Sequence, residues 1–421
     1  MRFYVDNLGH SNLHNLSFSN DYIQSPLTFD NPNSFHSFSD VGFKIIETQS
    51  YDSPGIYLIS VRCYAETWSG KLKHANPRHA LYEIPLEVIQ AARNRKVLIV
   101  IDNQSEGLPL IRNTIVDGFF EMHEAMKNLR LPKYSVVLVD SNAQFNAQYS
   151  QWCIEREQSP QIAHTYFLTG FYYFHTRIPK QPLILDALKL PEAKDYNSLN
   201  RTARPQRVDH LYYLITKNLL QYGLVSGNYT NNIENPEVID SLILDADHKH
   251  YEKTLKNNLP LIVDKDFTID SPDVDNTTIF NHSIYKNSLL SFVTETAFHQ
   301  PGMFITEKTF KPIVAGHPFI ILGQYNILKE LKKMGYQTDF PGIDQSYDDI
   351  PDPVDRFYAA HSSLIKWVNT SRTQKESFIR ESLKIIKHNQ VIYGQHDYVY
   401  ESHKKLFDTV KEIFSEKYRQ Q

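Results

Sequence analysis

Cysteine is scarce. Cys63 and Cys153 are the only two in 421 residues, too few for a disulfide framework, and no Cys-x-x-Cys pair offers a zinc or redox site. Long apolar runs are also missing. The longest, VLIVI at 97–101 and FIIL at 319–322, fall far short of the roughly 20 apolar residues a membrane-crossing helix needs. The opening residues, MRFYVDNLGHSNLHNLSFSN, carry no apolar core of the signal-peptide kind. The expectation is therefore a cytoplasmic protein without membrane insertion. Positive charge is not in excess: 44 Lys and Arg against 48 Asp and Glu leave a formal charge of -4, which argues against a strong basic field over the whole surface. Neither a Walker phosphate loop nor a GxGxxG turn occurs, so nucleoside triphosphate hydrolysis and dinucleotide redox chemistry lack their signatures.

What is present is core-forming material. Hydrophobic residues make up 41% of the chain and aromatics 13%, and at about 100–200 residues per domain the length suggests two or three domains. The first ninety residues are rich in Asn, Ser, His and Tyr, with strand-like sequence at GIYLISVRCYAE (55–66). From Lys96 the texture changes. KVLIVIDNQSEG is a β-branched run that stops at polar residues and Gly107, as a buried parallel strand does; YSVVLVDSN (134–142) and HTYFLTGFYYF (164–174) repeat it, with helical sequence between. Alternating strands and helices predict an α/β fold. His164 and His175 flank the last of these strands and read as satisfied core or rim histidines.

A Pro- and Lys-rich stretch, RIPKQPLILDALKLPEAKD (177–195), reads as a linker. The second half then begins with the strand YNSLN, the polar loop RTARPQR, and a helix expected from Val208 to about Tyr222, stopped by Gly223. The expected organisation is two α/β halves facing across a cleft: residues 1–190, residues 191–360 holding a ligand, and a helical tail over 361–421.

Two charged loops carry the chemistry. In FITEKTFKPIVAGHPFIILG (304–323), Thr306 is placed to cap a helix that runs to about Val314 and ends at Gly316. Lys308 and Lys311 are three residues apart on one helical face, beside free N–H groups at the positive end of the helix, a setting for phosphate. Glu307, at the same end, is suited to accept both hydroxyls of a ribose. Such a pattern is also that of a solvated charged helix. The second loop, NRTARPQRVDH (200–210), puts Arg201, Arg204 and Arg207 within seven residues at the entrance of a helix. The planar arginine fork suits bidentate phosphate contact. Together the two loops predict a site for a nucleotide diphosphate, and the diphosphate of a nucleotide sugar fits the missing signatures.

FVTET, FITEKTFKPIVAGHPFIILG and LKKMGYQTDFPGIDQSYDDI, with the arginine loop and the strand ending in SEG (105–107), resemble a family of glycosyltransferases found in tailed phages and some bacteria. Its pattern has an SxxTE segment, a TEKTFKP box, a GHPFI strand and a DESYD segment. The TEK element is similar to the donor-binding box of fucosyltransferases, which have the two-Rossmann GT-B architecture. The resemblance spans most of residues 95–360, and the chain departs from it at Asp339 and at Gln345, where the family has Glu. It implies that Glu307 binds ribose and Lys308 the diphosphate, helped by Arg201 and Arg207. By the same resemblance Glu295 touches the sugar or ribose, and Asp344, Tyr347 and Asp348 line the donor pocket. Helix caps or turns are the alternative roles for those residues.

Glycosyl transfer needs a base for the acceptor hydroxyl. Asp102 and Glu106, at the end of the strand in KVLIVIDNQSEG, are the candidates, Glu106 being favoured because it lies further into the loop; capping the next helix is their alternative role. No cofactor is expected, since Lys and Arg neutralise the diphosphate. The alternative is manganese or magnesium at Asp245 and Asp247 of SLILDADHKH (241–250), read as the DxD of GT-A enzymes. The phage character of the family makes hydroxymethylated bases of DNA a candidate acceptor, in the host cytoplasm if the gene is a phage's. The excess of 11 Lys and Arg over 7 Asp and Glu after Leu364 supports that acceptor or belongs to a solvated helix. A surface glycan acceptor, or a non-catalytic nucleotide-sugar-binding module, are the other readings.

Overall fold

The computed structural model describes residues 2–5, 44–47, 55–60, 81–82, 84–103, 117–166, 178–230, 241, 247–263, 280–395 and 398–417. It is an α/β protein with two parallel sheets, Rossmann-like in character, in two compact units. The first comprises residues 1–172, 300–304 and 397–421; the second comprises 173–299 and 305–396. Among the described residues, no helix is long and apolar enough to cross a membrane.

In the first unit the chain runs β1 (Arg2–Val5), β2 (Lys44–Glu47), β3 (Gly55–Ser60), α1 (Leu86–Arg93), β4 (Val97–Asn103), α2 (Gly118–Asn128), β5 (Val136–Asp140), α3 (Phe145–Glu155) and β6 (Ala163–Tyr166). The six strands form one parallel sheet in the order β2-β1-β3-β4-β5-β6. Side chains alternate across a strand, and both faces of β4 and β5 are apolar for that reason. Val97, Ile99, Ile101 and Leu138 pack with Val88, Phe119, Met122 and Trp152 on one side. Leu98, Val100, Val137 and Val139 pack on the other with Leu406 and Val410 of the helix Tyr398–Glu412. Asp117 caps α2, accepting from Phe120 N at 3.0 Å, and holds Trp152 Nε1 at 2.8 Å. His164 Nε2 lies 2.8 Å from Asp140 Oδ1; His175 lies outside the described residues. Met303 docks beside them, donating its N–H to Asn142 Oδ1 at 3.0 Å while its carbonyl accepts from Ala143 N at 2.9 Å.

The second unit runs α4 (Ile184–Ala187), β7 (Tyr196–Asn200), α5 (Pro205–Thr216), β8 (Gly223–Gly227), α6 (His248–Asn258), α7 (His282–Lys286), β9 (Ser291–Thr294), α8 (Glu307–Ala315), β10 (Phe319–Leu322), α9 (Ile327–Lys333), α10 (Pro353–Asn369) and α11 (Arg372–Gln395). Its parallel sheet has the order β10-β9-β7-β8. The chain therefore leaves β7 for β8 on one side and returns for β9 on the other, which puts a switch point between β7 and β9.

The stretch expected as a linker is packed here. Leu183 N–H bonds Ala315 O at 2.7 Å, and Pro182 lies against Gly316, whose φ of 73° ends α8. The expected helix 208–222 is corrected to Pro205–Thr216. Asn218, at φ 54°, takes the left-handed conformation, and Leu219 N–H reaches back to Leu214 O at 2.8 Å. That is a Schellman ending, with Asn doing what Gly223 was expected to do; Gly223 instead opens β8. Residues 361–421 divide, with α10 and α11 in the second unit and Tyr398–Glu412 in the first.

β7 is a buried central strand made of Tyr, Asn, Ser, Leu and Asn. Polar side chains are tolerated there because each finds a partner. Ser198 Oγ donates to His210 Nε2 (3.0 Å), His210 Nδ1 to His361 Nε2 (2.8 Å), and His361 Nδ1 to Phe357 O (2.8 Å). Burial holds both imidazoles well below their ordinary range, so the chain is one of neutral rings that ties β7 and α5 to α10.

Candidate functional site

At the carboxyl end of the β7–β9 switch point lies a cavity of about 210 Å³. Open parallel sheets bind ligands in this position. Its charged rim comes from the loop after β7 (Arg201, Thr202, Arg204), the first turn of α5 (Arg207), and the first turns of α8 (Glu307, Lys308, Lys311). Five cationic side chains thus face one carboxylate. Thr294 and Thr296, at the end of β9, complete the rim.

Arg207 is the centre of this arrangement. Pro205 at the start of α5, with no N–H to satisfy and a fixed φ, starts the helix so that Arg207 falls in its first turn. Arg207 is 3% exposed, and Nη1 donates to Thr202 O at 3.1 Å. Its Nε and Nη2 have no hydrogen-bond partner among the described residues, nor does Arg204 Nε. Burial pushes the Arg207 guanidinium down to about 10, with Arg204 adding to the shift while Glu295 and Glu307 oppose it. A buried, still-charged fork with free N–H groups is costly unless an anion completes it.

Lys308 and Glu307 are coupled. The Lys308 ammonium donates to Glu307 Oε1 at 2.6 Å and to the Thr296 and Thr306 hydroxyls, each at 3.2 Å. Burial raises the Glu307 carboxyl, but Lys308 and Lys311 beside it, with hydrogen bonds from the Lys308 ammonium and its own backbone N–H, outweigh that and hold it down at about 2. Its folded pKa is depressed, so its stabilising contribution is full above its ordinary 4.5 and is lost as pH falls through about 2. Glu307→Gln should therefore flatten the loss of thermal stability between those two pH values. A melting-temperature series with the same slope as the parent chain would contradict this.

Thr306 caps α8, with its hydroxyl accepting from Lys308 N at 3.4 Å. Glu295 is placed differently from expectation. It is fully buried and does not line the cavity. Its carboxylate accepts from Thr306 N (3.1 Å), Thr306 Oγ1 (2.6 Å), Thr309 Oγ1 (2.6 Å) and Thr296 N (3.0 Å). Glu295 is a clamp that fixes the start of α8 to the end of β9. Sugar or ribose was the expected partner of this carboxylate, and four protein donors engage it here.

Asp344, Tyr347 and Asp348 do not line this cavity. Asp344 is exposed and turns its carboxylate onto Ser346 N (3.1 Å) and Ser346 Oγ (2.7 Å). The buried Tyr347 hydroxyl accepts from Ile321 N at 2.9 Å, which covers the outer edge of β10. Asp348 accepts from Leu328 N and Lys329 N at 3.1 Å, satisfying the amino end of α9. Asp247 caps α6 through His250 N at 2.8 Å. Asp102 belongs to β4, opposite Val139 of β5, while Glu106 and Asp245 lie outside the described residues. Among the described residues no cluster of three or more His, Cys, Asp or Glu is placed to hold a metal ion.

Comparison with known proteins finds no matching family model and no matching curated protein. Residues that the motifs did not bring forward also line the cavity: Asn197, Ser226, Asn281, Tyr285 and Ser291. A signal for two of them was available, since a central strand reading YNSLN and a β9 opening with Ser are polar where buried strands are apolar.

Proposed function

We propose that the second unit binds a nucleotide sugar and that the protein is a glycosyltransferase of the two-Rossmann, GT-B kind. The observation that carries this reading is Arg207, a nearly fully buried arginine with two N–H groups unpartnered among the described residues, in a cavity at the sheet's switch point. In this reading the diphosphate lies against Arg207, Arg204 and Lys308, with the amino ends of α5 and α8 adding favourable dipoles. Glu307 accepts the ribose hydroxyls once Lys308 turns to phosphate. The same cations stabilise the departing diphosphate as the glycosidic bond breaks, which removes the need for a divalent ion in that role. Glu106, or Asp102, is proposed as the base for the acceptor, and hydroxymethylated bases of DNA as the acceptor.

The test incubates the protein with a panel of nucleotide sugars and hydroxymethylated DNA, with glycan acceptors in parallel, and follows nucleoside diphosphate release and product mass. Sugar-dependent release is expected, with activity retained in EDTA. Because Asp247 is engaged as a helix cap, Asp245→Asn should change turnover by less than about twofold, as a side chain outside any metal site does. Loss of turnover in EDTA with restoration by manganese would move the chemistry to Asp245 and Asp247. Transfer to a glycan alone would reject the DNA acceptor. Tight nucleotide binding with no transfer to any acceptor would leave a binding module.

A further inference from the structure

The cavity has a second, uncharged end that the diphosphate reading does not use. Asn197 is paired with Ser291 in the sheet, and both line the cavity along with Tyr285 and Asn281 of the α7 region. From Asn200 at the strand end back to Asn197 the chain descends about 10 Å along the sheet. The cavity thus continues inward from the arginines, between the sheet and α7, where a Rossmann layer is ordinarily filled by apolar side chains.

The polar atoms there are incompletely used. Asn197 Nδ2 donates to Ser288 Oγ (2.8 Å) and Ser291 Oγ (3.1 Å), which leaves its Oδ1 without a donor among the described residues. Asn281 Oδ1 caps α7 through Ser283 N at 3.0 Å, leaving its Nδ2 to face elsewhere. The Tyr285 hydroxyl has no hydrogen-bond partner among the described residues, although the residue is 3% exposed. Asn197, half-buried Asn281 and Tyr285 thus bring one amide acceptor, one amide donor and one phenol to the same end of the cavity lining.

Resting on the nucleotide-sugar reading, we infer that this inner end is the subsite for the nucleobase, and that Asn197, Asn281 and Tyr285 select which base is accepted. The transferred sugar must meet an acceptor, so its reacting carbon belongs at the open, charged rim. The end between the sheet and α7, away from that rim, suits the part that stays on the leaving nucleotide. A neutral ring with donors and acceptors on its edge matches neutral amide and phenol groups, whereas a further phosphate would call for charge. Contacts to this non-reacting part supply affinity and discrimination that positioning at the rim can use.

Calorimetric titration with UDP, GDP, ADP, CDP and inorganic pyrophosphate tests the assignment, with folding of each variant checked by circular dichroism. One nucleotide is expected to bind at least about tenfold more tightly than the others. Tyr285→Phe and Asn281→Ala should each weaken that nucleotide by up to about tenfold, the worth of one neutral hydrogen bond, while pyrophosphate affinity changes by less than about twofold. Equal binding of all four nucleotides overturns the subsite, as does a preference that survives both variants. Each of those leaves the diphosphate site standing. Failure of pyrophosphate and every nucleotide to bind overturns both readings.

Discussion

Arg207→Ala should lower nucleoside diphosphate affinity by two to four orders of magnitude. Two charge-assisted hydrogen bonds, one from each unpartnered N–H group, are each worth about 1.5–3 kcal/mol. Arg207→Lys should recover little of this, because a single ammonium cannot reproduce the planar fork. The companion effect has the opposite sign. With no anion bound, Arg207 is a buried cation close to Arg204, and Arg207→Met should leave the ligand-free protein as stable as the parent or more so. Titration calorimetry and urea unfolding of the same variants measure both. Affinity within about fivefold of the parent, roughly 1 kcal/mol, in a folded Arg207→Ala protein would remove the anion site.

Glu295→Ala should be the most destabilising single change in the second unit. It strips four donors of their acceptor, namely Thr296 N, Thr306 N, Thr306 Oγ1 and Thr309 Oγ1. Leaving buried donors unpaired costs about 1–3 kcal/mol each, and partial rescue by water brings the total to roughly 3–5 kcal/mol, as for other broken buried networks. The isosteric Glu295→Gln keeps two acceptor positions and should cost less. Urea unfolding gives the comparison. A Glu295→Ala midpoint close to that of the parent would show that the amino end of α8 is held by something other than this carboxylate.

Much of this architecture was legible because β4, β5 and β10 are runs of apolar residues, and such runs have few homes other than a parallel sheet covered on both faces. The TEK segment was legible to the residue. Thr306 at the cap, Gly316 at the left-handed stop and Lys308 with Lys311 on one side all follow from local rules of helix geometry. What could not be read was long-range. Nothing near Glu295 in the sequence says that Thr306 and Thr309 will close on it, and a buried carboxylate with four donors looks the same on paper as one awaiting a ribose. The partners of Asp344, Tyr347 and Asp348 were hidden for a similar reason. These, Ser346 apart, are backbone groups of α9 and β10, and any acidic loop could have served them. The helix after β7 was drawn too long because Asn218, not the more conspicuous Gly223, adopts the positive φ.

The chain's route between the two units has a practical consequence for dissecting the protein. Residues 300–304 and 397–421 belong with the first unit although second-unit sequence precedes each of them. No single cut yields both units whole. A fragment ending near residue 172 would lack the helix Tyr398–Glu412 and would leave Leu98, Val100, Val137 and Val139 bare on one face of its sheet, an apolar strip of the kind that drives aggregation. It would also lack the Met303 strap that ties onto Asn142. Obtaining the first unit alone calls for grafting the C-terminal helix back through a designed connection, and obtaining the second calls for bridging His299 to Ile305. Insolubility of a simple N-terminal fragment would therefore reflect a missing layer of its own core, and its failure to bind a ligand would carry no information about the intact molecule.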